Sequence, residues 1–260
     1  MTGRIQVNVD GPVGTLVFDH EARRNAITRD MWRAIPDAAR QLDANEAVRV
    51  IVLRGAGSEA FVAGADISEF EQVRIGEGAK GYDEETEEAF AALAAIEKPV
   101  IALIHGFCIG GGAALALTAD LRYAAEDAVL AIPPARLGLG YGVERIESLV
   151  NVVGLAHARE ILFTARRFSA TEAAAMGWIH RTIPKVELDT FVADTARTIA
   201  GNAPLTLRSA KRVLRELERP PAERDRAAME ASVRTCFTSE DYAEGVRAFL
   251  EKRRPRFEGR

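Results

Sequence analysis

Residues Val100–Ile109 are apolar apart from His105 and Gly106, and they run directly into Gly110-Gly111-Gly112 and then Ala113-Ala-Leu-Ala-Leu117. A strand with no polar alternation needs cover on both faces. A strand that breaks into three glycines and reopens as a helix also needs a backbone path that side chains would obstruct. The start of such a helix presents free N–H groups at its positive end, where a developing negative charge can be held. Upstream, Phe61-Val-Ala-Gly64-Ala65-Asp66 repeats the pattern, with a small-residue turn ahead of an expected helix. Two such turns can supply two N–H donors to one oxygen.

Around this feature the first half alternates strand and helix signals. Ile5–Val9 and Gly14–Phe18 predict a hairpin across Asp10-Gly11-Pro12. Thr28 is placed to cap a helix reaching about Asp43, with Met31, Ile35 and Ala38-Ala39 on one face. Val48–Leu53 reads as a strand covered on both faces, and the acidic run Tyr82–Glu88 as the solvated start of a helix. Val100–Ile104, Leu121–Ala125 and Ala128–Ile132 read as further strands. Val143–Val153 and Ala156–Phe163 read as two helices, and Ser169-Ala-Thr-Glu172 is a capping box opening another. After a short strand at Ile179–Ile183 come four amphipathic helices, Leu188–Ala200, Leu205–Glu216, Pro221–Phe237 and Ser239–Leu250. The chain is therefore expected to be α/β with a helical C-terminal part, whose apolar faces predict an oligomer.

Composition narrows the function classes. A net charge of −4 gives no reason to expect nucleic acid or a membrane surface as partner. Two cysteines are too few for a disulfide framework, and Cys108 reads as a small core residue. The four histidines are scattered without ligand spacing, so no metal site is expected. Gly138-Leu-Gly140-Tyr-Gly142 does not complete a dinucleotide fingerprint, and no G-x-S-x-G elbow occurs. No stretch approaches a membrane span, and Met1–Gln6 lacks the apolar core of a signal peptide, which predicts a cytoplasmic protein.

Taken in order, Ala60–Phe70, Lys98–Gly112 and Ala119–Ala124 resemble the crotonase (enoyl-CoA hydratase/isomerase) superfamily. Arg23-Arg-Asn-Ala26 and the ending, Ser239–Tyr242 and Ala248–Arg253, extend the resemblance over essentially the whole chain. It implies a ββα spiral core over 1–195 and a helical trimerisation region over 196–260, assembled as a homotrimer or homohexamer. It also implies an acyl-CoA thioester substrate, with no cofactor beyond the coenzyme A that the substrate carries. Two backbone N–H groups would hold an enolate at the thioester oxygen, and by motif position these belong to Ala65 and Gly111. Arg23, Arg24 and Ala26, with Ala63, Asp66 and Ile67, match the platform for adenine and phosphates. Phe249 and Lys252 match positions that reach the nucleotide end of coenzyme A.

The departures from the family pattern concern proton transfer. Hydratases of this family carry a glutamate three residues after the central oxyanion glycine, where this chain has Ala114, and a second one where it has Pro134. Adding water to a double bond needs a base for the water and an acid at the α-carbon, and neither residue can move a proton. Tyr141, in Arg136-Leu-Gly-Leu-Gly-Tyr141, matches a tyrosine of the superfamily's methylmalonyl-CoA decarboxylases, although their histidine and threonine are replaced here by Ala65 and Pro133. Tyr141 is thus a candidate catalytic residue or a wall of the acyl pocket. Glu144 is a candidate general acid/base or a favourable charge at a helix start. Asp66 reads as a capping residue rather than a catalyst, and Arg136 as the partner of a substrate carboxylate or of a neighbouring subunit. The resemblance therefore implies an acyl-CoA enzyme of open reaction, with a short branched acyl-CoA decarboxylase and a non-catalytic acyl-CoA-binding protein as alternatives.

Overall fold

The computed structural model describes residues 3–69 and 78–260. Strands β1 (Arg4–Asp10) and β2 (Val13–Asp19) form the expected hairpin, and α1 (Arg29–Ala44) begins where Thr28 accepts a bond from the Met31 N–H. β3 (Val50–Gly55), β4 (Ala60–Val62), α2 (Gly78–Ala95), β5 (Val100–Ile104), β6 (Phe107–Ile109) and α3 (Gly111–Leu117) follow. β7 (Leu121–Ala125), β8 (Val129–Ala131), α4 (Val143–Thr164), β9 (Phe168–Ser169), α5 (Ala170–Ala175) and β10 (Arg181–Ile183) complete the mixed part. Four helices end the chain: α6 (Leu188–Ala200), α7 (Pro204–Glu218), α8 (Arg226–Phe237) and α9 (Glu240–Leu250).

Two sheets result. The larger runs β1-β2-β3-β5-β7-β10, parallel except for the opening hairpin, and the smaller runs β4-β6-β8-β9. The apolar runs of β3 and β5 are explained by cover on both faces. Ile51 and Leu53 enter the main core with α1, while Val50, Val52, Ile101 and Leu103 pack under Leu188, Val192 and Ala196 of α6. The chain leaves one sheet for the other at His105-Gly106, between β5 and β6. Gly106 sits at φ +48, and a Cβ there would lie 1.9 Å from the Glu59 carbonyl oxygen, so only glycine lets the two sheets meet.

Three expectations need adjustment. The acidic run does not open its helix: α2 starts at Gly78, and Tyr82 is buried with its hydroxyl accepting from the Trp32 indole at 3.0 Å. The 221–237 helix is shorter than expected, with a 3-10 turn at Pro221–Glu223 before α8 starts behind its Asp225 cap. The segment after Asp66 is a 3-10 turn, Ile67–Glu69, and the rest of the helix expected there lies outside the described residues. By contrast, the two helices expected on either side of Gly154 are present as α4, broken at that glycine by φ 72 and ψ 164. The Ser169–Glu172 capping box forms in both directions. No helix of the described residues is long and apolar enough to cross a membrane.

Candidate active site

The glycine triplet performs two structural tasks before any chemical one. Gly110 turns at φ 56 and ψ −114, and its N–H donates to the Ala131 carbonyl at 2.8 Å, which ties the turn to β8. Gly112 packs against β4 so closely that a Cβ would stand 2.1 Å from the Val62 carbonyl oxygen. Gly111, between them, faces open space bounded by the Trp32 ring.

The upstream turn is held against residues 24–27. The Ala63 N–H donates to the Arg24 carbonyl at 3.0 Å, the Ile27 N–H to Gly64 at 2.8 Å, and the Asp66 N–H to Ile27 at 2.8 Å. Gly64, at φ +108, rotates the chain between these bonds. Buried Asn25 fixes the other side, with its amide donating to the Ala56 and Ala60 carbonyls at 3.0 and 2.8 Å. Among the described residues, neither the Ala65 N–H nor the Gly111 N–H has a protein acceptor. The two turns converge: a Cβ built on Gly111 would lie 3.9 Å from the Ala65 nitrogen. Two free amides side by side at the wall of a cavity suit an oxygen that gains negative charge.

That cavity holds about 810 Å³ of empty space, counting its open mouth. Ala63–Ala65 and Ile109–Gly111 form one end with Trp32. α2 contributes Tyr82, Asp83, Thr86 and Phe90, and the 133–145 segment contributes Pro133, Pro134, Leu137, Leu139, Gly140, Tyr141 and Arg145. Trp32 and Phe90 pack at 5.4 Å between ring centres. Among the described residues, the buried Tyr141 hydroxyl has no hydrogen-bond partner. Burial raises the phenol above its ordinary value, against a smaller opposing pull from Arg145.

The other sequence-level candidates lie in different surroundings. Glu144 occupies the first turn of α4, exposed and outside the residues lining the cavity. Arg136 is exposed on the 3-10 turn Pro134–Leu137. Burial pushes the Asp66 carboxyl up, but the Ser68 hydroxyl and N–H, with the Arg23 charge, outweigh it and hold the group below its ordinary value. Asp66 thus caps the Ile67–Glu69 turn, and Ile67 lines the cavity. Arg23 and Arg24 are exposed, Arg24 lying 4.6 Å over the Phe107 ring, and Ala26 is half-buried in the strip beneath them. Phe249 and Lys252 are exposed at the end of α9, neither lining this cavity within one chain. Ala114 is a core methyl on α3, while Pro134 lines the cavity.

Arg145 escapes sequence reading, though one signal was present. It is the third residue of α4, where a cation opposes the helix dipole. Among the described residues, no group of three or more His, Cys, Asp and Glu is placed to hold a metal ion.

Comparison with known proteins matches residues 10–260 to the enoyl-CoA hydratase/isomerase family. The peroxisomal Delta(3,5)-Delta(2,4)-dienoyl-CoA isomerase of Arabidopsis thaliana is 34% identical over 97% of this chain and 95% of its own. The methylmalonyl-CoA decarboxylase of Escherichia coli is 31% identical over 95% of each. Among solved structures, an enoyl-CoA hydratase/carnithine racemase from Magnetospirillum magneticum superposes with a TM-score of 0.95 at 34% identity, covering 100% of this chain and 97% of that one.

Proposed function

The chain belongs to the enoyl-CoA hydratase/isomerase family, and from that premise we propose that it is an acyl-CoA enzyme whose Ala65 and Gly111 amides hold the thioester oxygen as it becomes an enolate. The supporting observation is the pair of partnerless N–H groups meeting at one cavity end. Backbone donors fixed by the surrounding turns need no reorganisation as charge develops, so they favour the enolate over the neutral thioester. The platform for coenzyme A is the strip formed by Arg23, Arg24 and Ala26 against Ala63, Asp66 and Ile67, with Phe249 and Lys252 reaching its nucleotide end. Self-association as a homotrimer or homohexamer is supported by the apolar groove between α7, α8 and α9, which includes Leu214, Phe237 and Val246.

The reaction is not two-glutamate hydration. Ala114 and Pro134 stand where that chemistry needs an acid and a base, and neither carries an exchangeable side-chain proton. A second reading, loss of CO₂ from a short branched acyl-CoA, draws on the same vacancy. It leaves the enolate directly, with the buried Tyr141 hydroxyl as the available donor.

The deciding experiment uses mass spectrometry on a panel of enoyl-, dienoyl-, hydroxyacyl- and malonyl-type thioesters, with wild type and Gly111→Pro. Proline removes one N–H at a position where a helix start tolerates it. Turnover by wild type and a loss of about 10²–10³ in kcat/KM in the folded variant are expected. Undiminished turnover by folded Gly111→Pro would remove Gly111 from the role. Retained coenzyme A binding with no turnover of any thioester would make the protein an acyl-CoA binder.

A further inference from the structure

The amide pair is walled by one aromatic ring, and that ring is held from a second helix. A Cβ built on Gly111 would meet Trp32 Cζ2 at 3.4 Å and Cη2 at 3.6 Å, so the indole stands in contact with the backbone that carries the Gly111 N–H. The Ala65 nitrogen lies 3.9 Å from the same point. Trp32 is buried, and its Nε1 donates to the Tyr82 hydroxyl of α2 at 3.0 Å. Phe90, further along α2, packs on the same indole at 5.4 Å between ring centres, tilted by 48°. Tyr82, Thr86 and Phe90 follow one another at helical spacing, so one face of α2 both lines the cavity and grips the ring. Glu85, one turn from Tyr82, ties the two helices together by pairing with Arg29 and Arg33 of α1, each at 2.7 Å.

We propose that Tyr82 is a positioning residue for the amide pair: its hydrogen bond sets the plane of Trp32, and Trp32 holds the Gly111 turn and keeps water off the two N–H groups. This rests on the acyl-CoA reading above. A buried indole N–H without an acceptor is costly, so the Tyr82 oxygen fixes the rotation of a ring that apolar contacts alone would leave less determined. Amides screened from water bond a developing negative charge more strongly, because the surrounding dielectric is low. Gly110 and Gly112 aim the N–H groups through the backbone, whereas the Trp32 ring determines what shares the space in front of them. A ligand that displaces Tyr82 therefore also displaces the wall of the amide pair. The link joins side chains 50 residues apart in the chain, through a single hydrogen bond between α1 and α2.

The test is isotope-edited infrared spectroscopy of butyryl-CoA, labelled with ¹³C at its carbonyl, bound to wild type, Tyr82→Phe, Trp32→Phe and the double variant. Calorimetric binding of free coenzyme A is the control. Wild type is expected to lower the carbonyl frequency, and Tyr82→Phe to lose about half of that shift or more while coenzyme A binds within about twofold of wild type. The double variant should lose no more than Trp32→Phe alone, because Tyr82 acts through the ring. A second readout needs no change at Trp32. In ¹H–¹⁵N spectra, Tyr82→Phe should move the Trp32 indole N–H resonance and leave that of Trp178, buried against Phe168, in place. A full carbonyl shift in Tyr82→Phe, additive losses in the double variant, or a carbonyl loss with an unmoved Trp32 resonance overturns the positioning role while leaving the acyl-CoA reading intact. An unshifted carbonyl in wild type, or no binding of butyryl-CoA, overturns that reading as well.

Discussion

The two ends of the cavity are built from different materials. At the end proposed to hold the thioester oxygen the exposed groups are backbone amides, and Gly64, Gly110 and Gly112 fix their directions through positive φ angles and a contact that excludes any side chain. At the other end the lining consists of side chains on the 133–145 segment and α2. The first construction leaves sequence little freedom. The second can be rewritten residue by residue. This fits the names of similar proteins, an isomerase, a decarboxylase and a hydratase/racemase, on one fold.

The contrast can be broken most forcefully at Gly112. Gly112→Val drives a Cβ into the Val62 carbonyl and should cost more than about 3 kcal/mol, with loss of the cooperative thermal transition. A variant with near-wild-type Tm would show that the oxyanion turn is not rigidly dictated. At the acyl end, Tyr141→Phe should leave Tm unchanged or raise it, because it deletes a buried hydroxyl that has no hydrogen-bond partner among the described residues. The same variant sharpens the contrast at alkaline pH. In wild type the unfolded phenol ionises near its ordinary value of 10.0 while the folded one keeps its proton. Stability should therefore fall as pH rises past 10, and Tyr141→Phe should lack that component in denaturant titrations. The smallest effect is expected at exposed Glu144, where Glu144→Gln should change kcat by less than about twofold. A loss of tenfold or more would bring Glu144 into the proton chemistry.

Legibility in the sequence follows the same division. Val100–Ile104, Leu121–Ala125 and Leu188–Ala200 can be read to the residue because apolar runs and amphipathic periods are local signals. Of the smaller sheet, β8 is legible as the apolar run Ala128–Ile132, but β4 and β6 are not. Ala60–Val62 and Phe107–Ile109 are three residues each, and they exist because Gly106 lets the chain change sheets, a tertiary event. At the site, the glycine turns point to the amide pair because two small-residue turns at helix starts leave backbone N–H groups uncovered. The acyl wall stays hidden because Arg145, Thr86 and Phe90 meet only after α2 and α4 come together. Arg145 looks ordinary in sequence, and its unusual burial is visible only in three dimensions.

The most direct test of the amide pair is the carbonyl stretch of a ¹³C-labelled thioester bound to the protein, read by isotope-edited infrared difference spectroscopy. Two N–H donors on the thioester oxygen should shift the stretch to lower frequency in wild type, and Gly111→Pro should return it most of the way toward the free value while coenzyme A still binds. An unshifted carbonyl in wild type, or an equal shift in both proteins, would contradict the assignment of Ala65 and Gly111 as the groups that hold the oxygen.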